Sequence, residues 1–295
     1  MTPLTPVETG PQSAAATATS TSSTAPTRTI DVGGTPFAYR EFGRRGGVPL
    51  VFLHHFTAVL DDWDPRVIDG IAARRHVITF DNRGVGSTGG KVPHTIAAMA
   101  ADATAFIRAL GHEHVDLIGF SLGGGVAQEV ALTHPELVRR LILTGTGVRG
   151  GGGLTKMPLI VGGAYAKAAL TGVDPRHFLF FGRNATGKRA ATEYIARLRE
   201  RTTDRDTPIS HQARIAQLVA IREAGLGKPH DLTRITQPTF VANGDDDVMV
   251  ASSQSHALAE RIPDAKLTIY PDSGHGAIFQ YHHEFVPELL AFLEG

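Results

Sequence analysis

The chain has 295 residues, 42% hydrophobic and 20% charged, an ordinary composition for a folded protein with a sizeable core. Lys and Arg together number 29, as do Asp and Glu, so no basic excess points to a nucleic-acid partner. Cysteine is absent, which excludes disulfides, a Cys nucleophile and thiolate metal sites, and no run approaches the roughly 18 apolar residues of a membrane span.

Residues 1–27 are almost all Thr, Ser, Ala and Pro, without an aromatic side chain to offset the entropy of ordering. They are expected to form a disordered tail. The basic start and apolar stretch of a secretory signal are both missing, so the expected location is cytoplasmic. From Thr29 onward, Thr29–Val32 and Phe37–Phe42 flank Gly33-Gly34, the two-residue signal of a hairpin. Pro49–Phe56, His76–Asp81, Val115–Phe120 and Arg140–Thr144 are apolar runs of the kind that buried parallel strands require. Helical spacing occupies Val67–Arg75, Thr95–Leu110 and Leu122–Val138, with Ile96, Met99, Ala103, Phe106, Ile107 and Leu110 on one stripe. The alternation resumes with strand Thr239–Asn243, helix Ser252–Ile262, strand Lys266–Tyr270 and helix Glu284–Leu293. Strands alternating with helices predict an α/β fold with a doubly wound, mostly parallel sheet.

Residues 148–234 break the rhythm. They open with Gly150 to Gly153 and read as helices and loops without clear strands. An excursion of this length between two sheet strands predicts a helical lid, leaving 28–147 and 235–295 as the core. It holds 15 Lys and Arg against 7 Asp and Glu, a surplus of eight positive charges. Solvated helix faces are the expected reason, and a funnel for an anionic ligand is the alternative.

The chemistry is sharpest where Val115–Phe120 runs into Gly119-Phe120-Ser121-Leu122-Gly123 and then a helix. This is G-x-S-x-G in strand–turn–helix context, which strains the serine and lifts its hydroxyl clear of the sheet. Glycines two residues before and after Ser121 remove side chains that would collide there. The Leu122 N–H, at the helix start, faces any oxyanion that develops.

On these residues the chain resembles the α/β-hydrolase family over about residues 29–295. The resemblance implies an eight-stranded sheet with an N-terminal antiparallel hairpin, and a nucleophile, an acid and a histidine in that chain order. Gly244-Asp245-Asp246-Asp247, after strand Thr239–Asn243, is similar to the family's G-x-x-D and implies Asp247 as the acid, with Asp245 or Asp246 as alternative registers. Asp272-Ser273-Gly274-His275-Gly276 resembles the family's G-H loop and implies His275 as the base. The loop Leu53-His54-His55-Phe56 would supply the second oxyanion donor, the Phe56 N–H, although His55 stands where many relatives carry glycine.

Other signals carry less. Gly84-Val85-Gly86-Ser87-Thr88-Gly89 satisfies G-x-G-x-x-G, but Lys91-Val92-Pro93 intervene before any helix, and Asp81 through Ser87 resembles a family loop instead. No cofactor is expected. Neighbouring His54 and His55 face opposite ways in an extended chain, and His112-Glu113-His114 lacks zinc-peptidase spacing, so no metal is expected either. Phe178, Phe180 and Phe181 are lid core or substrate wall, and with Phe120 they are the candidate substrate-binding residues.

The resulting expectation is a serine hydrolase that cleaves a small or medium ester or lactone. A small-molecule substrate is the only partner expected, with neither nucleic acid nor membrane. Two rivals use the same triad. Gly-Phe-Ser-Leu-Gly-Gly-Gly resembles cofactor-free haloperoxidases, which are also perhydrolases, and carbon–carbon bond hydrolases share the fold. A non-enzymatic ligand receptor on this fold is the rival from another class.

Overall fold

The computed structural model describes residues 20–151 and 153–295. Gly33 and Gly34 both take positive φ, 59° and 82°, as a tight hairpin matched to strand twist requires. They join β1 (Arg28–Val32) to β2 (Thr35–Phe42). The chain then alternates through β3 (Leu50–Leu53), α1 (Pro65–Ala72), β4 (Val77–Phe80), α2 (Ile96–Ala109), β5 (Val115–Phe120), α3 (Leu122–Thr133) and β6 (Val138–Thr144). Four helices follow, α4 (Met157–Thr171), α5 (Arg176–Leu179), α6 (Ala185–Arg197) and α7 (His211–Leu226), with no strand among the described residues between β6 and β7. The core closes with β7 (Thr239–Gly244), α8 (Ser252–Arg261), β8 (Lys266–Tyr270), α9 (Ala277–Gln280) and α10 (His282–Glu294).

The eight strands form one sheet in the order β1-β2-β4-β3-β5-β6-β7-β8. β1–β2 and β2–β4 pair antiparallel, and the other neighbours pair parallel. β3, β4, β5 and β7 are buried at every position because helices cover both faces, which is why they read as unbroken apolar runs. β8 lies at an edge and is only partly covered. The parallel arrangement brings the carboxyl ends of β3, β5, β7 and β8 to the same side, where the chain turns into His54–Phe56, Ser121, Asp247 and His275.

Several boundaries differ from the sequence reading: the strand expected over Pro49–Phe56 is confined to Leu50–Leu53, and two further differences have a plain physical reason. α3 stops at Thr133 rather than Val138, because His134 precedes Pro135 and that position disfavours helical backbone. Residues 20–27, expected to belong to the tail, are held on the fold. The Asp69 carboxylate accepts from Ser22 N (2.6 Å) and Ser22 Oγ (2.8 Å), while Arg201 donates to the carbonyls of Ser22 and Ala25. Ala25 is fully buried. Polar partners on α1 and beyond α6 order a segment that has almost no apolar surface of its own. Residues 1–19 of the expected tail lie outside the described residues. No described helix is long and apolar enough to cross a membrane.

Candidate active site

β5 delivers Ser121 in a backbone conformation that only glycine adopts easily, φ 55° and ψ −115°. The strain is held by bonds on both sides: Ser121 N donates to Thr144 O on β6 (2.9 Å), and Gly124 N donates to Ser121 O (2.9 Å). The glycines around the serine permit the turn. A Cβ on Gly119 would stand 2.5 Å from the Gly123 carbonyl carbon, and one on Gly123 would run into the Leu53 carbonyl at the end of β3. The helix start is thus pressed against the loop that carries His54–Phe56.

Of the three consecutive aspartates after β7, Asp247 alone turns inward. Asp245 and Asp246 are exposed, whereas Asp247 Oδ1 accepts from the N–H groups of Met249 (2.8 Å) and Val250 (2.9 Å). Its other oxygen, Oδ2, lies 2.7 Å from His275 Nδ1. A carboxylate can only accept, so this contact puts the imidazole proton on Nδ1 and leaves a lone pair on Nε2. Nε2 is buried and has no hydrogen-bond partner among the described residues. Ser121 and His275 wall the same cavity, of about 300 Å³. Ser121 Oγ is not hydrogen-bonded to the ring in this structure, a looseness common in sites without substrate.

The N–H groups of Phe56 and Leu122, the two candidate oxyanion donors, make no hydrogen bond among the described residues. The histidines before Phe56 are each engaged and each neutral. Trp63 Nε1 donates to His54 Nδ1 (2.7 Å), and His54 Nε2 faces Asp81 Oδ1 at 3.6 Å. Burial pushes the His54 imidazole down to about 4 and that of His55 down to about 3. His55 Nδ1 donates to Phe56 O (2.9 Å), which bends the loop back on itself where glycine would leave it free.

Sequence reasoning proposed four aromatic residues for the substrate wall, and the structure brings only Phe180 to the cavity. Phe120 is fully buried, with its ring centre 4.9 Å from that of His275, so it backs the base rather than facing the cavity. Phe181 packs on Tyr194. Phe178 lies on the far side of the helical excursion, under the Lys167 ammonium. Spacing could not separate these residues, because Phe178 lies on the single-turn α5 while Phe180 and Phe181 follow it where the helix ends.

Conversely, the charged wall was not foreseen. Asp61, Asp62, Asp174, Asp206, Arg176 and Arg205 line the cavity. Arg176 is clamped by Asp62 (2.5 Å) and Asp174 (2.8 Å), and Arg205 stands 3.5 Å from Asp61. Arg40 pairs with Asp61 from behind at 2.6 Å. The basic surplus of residues 148–234 is therefore met by acids where it reaches the cavity. Asp206 also approaches Asp81, and the Leu60 N–H donates to both carboxylates, at 3.1 and 3.0 Å. Burial, followed by this neighbour, holds the Asp81 carboxyl well above the usual range. The six charged residues that line the cavity come from three separate segments, so no local pattern announces the cluster. Asp102 on α2 accepts from Arg83 Nε at 2.8 Å.

A strained serine after β5, an acid after β7 and a histidine after β8 on this sheet define an α/β-hydrolase architecture. A family profile described as "alpha/beta hydrolase fold" matches residues 48–280, and the chain belongs to that family of enzymes. Among solved structures it resembles an alpha/beta hydrolase fold protein from Chitinophaga pinensis, 38% identical, covering 94% of this chain and 100% of that one with a TM-score of 0.90. A non-heme chloroperoxidase of Streptomyces lividans is 29% identical over 279 residues, 89% of this chain and 97% of the relative. A non-heme haloperoxidase of Rhodococcus erythropolis is 29% identical over 275 residues, with the same coverage of 89% and 97%.

Proposed function

We propose that the protein is a serine hydrolase that cleaves a small or medium carboxylic ester or lactone through an acyl-enzyme on Ser121. The observation that carries this reading is the 2.7 Å contact between Asp247 and His275 Nδ1, on a ring whose Nε2 is unpartnered in the cavity that holds the strained serine. In this reading Nε2 takes the Ser121 proton as Oγ attacks the carbonyl, and Asp247 stabilises the imidazolium that forms. The Phe56 and Leu122 N–H groups bind the tetrahedral oxyanion, each contributing about 2.7–4 kcal/mol of barrier lowering. His275 returns the proton to the leaving oxygen. It then activates a water that releases the acid and regenerates Ser121. Every step uses groups of this chain and none needs a cofactor. Residues 148–234, which supply Arg176, Phe180 and Asp206 to the cavity wall, act as the lid.

The two peroxidase relatives favour a second reading of the same acyl-enzyme, with hydrogen peroxide replacing water as the acceptor and a peracid as product. A screen of esters and lactones, each with and without peroxide and with the Ser121→Ala protein as blank, separates the two. Ester turnover lost in Ser121→Ala supports the hydrolase, and peracid formation at the expense of acid supports the alternative. Turnover that survives Ser121→Ala would refute both.

A further inference from the structure

His55 lies in the loop that carries the candidate oxyanion donor Phe56, and its chemistry is incompletely used. The ring is nearly fully buried and forms part of the cavity wall with Ser121 and His275. Its Nδ1 must carry the proton, because the partner at 2.9 Å, Phe56 O, is a carbonyl that can only accept. Nε2 is therefore a lone-pair acceptor, and no described residue donates to it. The ring is flanked by Phe120 and Phe180, with centroids at 5.2 and 5.1 Å, and neither offers a donor. The same two rings flank His275, at 4.9 and 5.5 Å, so the imidazoles of His55 and His275 share one aromatic enclosure. Burial, the main cause of its low pKa of about 3, keeps the ring neutral and Nε2 unprotonated above that pH. A buried acceptor with no partner, one residue before a candidate oxyanion donor, is a selective feature. It favours a ligand that donates and penalises one that does not.

We propose that His55 is a specificity residue whose Nε2 accepts a hydrogen bond from a hydroxyl or amide N–H carried close to the scissile carbonyl of the substrate. The proposal rests on the hydrolase reading above and narrows its substrate class to hydroxyacyl or amidoacyl esters and lactones.

Two matched pairs distinguish the donors. p-Nitrophenyl 3-hydroxybutyrate against the butyrate tests the hydroxyl. p-Nitrophenyl N-acetylglycinate against the 4-oxopentanoate, in which CH2 replaces NH, tests the amide. With each kcat/KM divided by the hydroxide-catalysed rate of that ester, at least one donor-bearing ester should be preferred by roughly tenfold. The preference should collapse in His55→Phe, which keeps an aromatic ring against Phe120 and Phe180 but has no acceptor. Equal values within both pairs, or a preference unchanged in His55→Phe, would overturn the proposal. A second readout needs neither turnover nor a folded His55 variant. In histidine-15N-labelled Ser121→Ala protein, the His55 Nε2 resonance should move upfield with methyl 3-hydroxybutyrate or methyl N-acetylglycinate and stay in place with methyl butyrate. No selective movement would overturn the acceptor role. Movement without any Ser121-dependent turnover would sink the hydrolase reading and leave the acceptor standing, whereas turnover without preference or movement would sink the acceptor alone.

Discussion

Replacing Gly123 by alanine tests whether the oxyanion loop and the serine turn are positioned by direct contact. An alanine Cβ would lie 2.5 Å from the Leu53 carbonyl carbon and 2.8 Å from the His54 carbonyl oxygen, against ordinary contact from 3.4 Å. Both atoms are backbone, so no side chain can rotate away. The Leu53 carbonyl oxygen stands closer still, so relief requires the β3–loop junction and the start of α3 to part by more than about 0.9 Å, a displacement that near catalytic groups can cost roughly 100-fold in rate. Overpacking of this kind also costs about 1–3 kcal/mol, or several degrees in melting temperature for a chain of this size. Gly163 on α4 serves as the contrast, since an alanine there meets nothing within 4 Å and should be neutral or slightly stabilising. The assay is kcat for a p-nitrophenyl ester below the melting transition, with thermal denaturation alongside. If Gly123→Ala retained wild-type kcat and melting temperature, the contact would not position the loop.

Three further outcomes follow from the geometry. Asp247→Asn should lower kcat by about 10⁴-fold, as for other triad aspartates, while the exposed Asp245→Asn and Asp246→Asn have far smaller effects; a larger loss at Asp245 would move the acid register. A carboxylated ester and its methylated form should show parallel kcat/KM curves against ionic strength, because Arg176 and Arg205 are already met by Asp62, Asp174 and Asp61; a selective fall for the anionic ester would show that residues 148–234 draw in anions. Asp81 keeps a proton in the folded state that the unfolded chain loses near 3.8, so its contribution is present at low pH and is lost as pH rises through the raised folded value. The melting temperature of Asp206→Asn should therefore decline less steeply with rising pH than that of the wild type, and equal slopes would refute the coupling.

What was legible in the sequence was whatever depends on local period or on a short motif. Continuous apolar runs identified the buried parallel strands, and Val115–Phe120 and Lys266–Tyr270 have the expected bounds. Ser121, Asp247 and His275 were proposed from one resemblance because each sits in the turn that follows a strand, and the structure brings Asp247 and His275 into contact. The wall of the cavity was not legible, because it is assembled between residues 148–234 and the rest of the sheet domain. Asp206 reaches Asp81 and Ser87 from more than a hundred residues away, and nothing in either segment records the other. The docked segment Ser22–Ala25 was missed for a related reason. Composition measures what a stretch can bury by itself, while its order comes from Asp69 and Arg201 elsewhere in the chain.

The central claim, that Ser121 is the activated nucleophile, is tested most directly by intact-protein mass spectrometry after exposure to a fluorophosphonate. Such a reagent traps a serine only when a base and oxyanion donors surround it. One adduct is predicted per chain, mapping to Ser121 and absent from the Ser121→Ala protein. An adduct on another serine, or equal labelling of Ser121→Ala, would contradict the account.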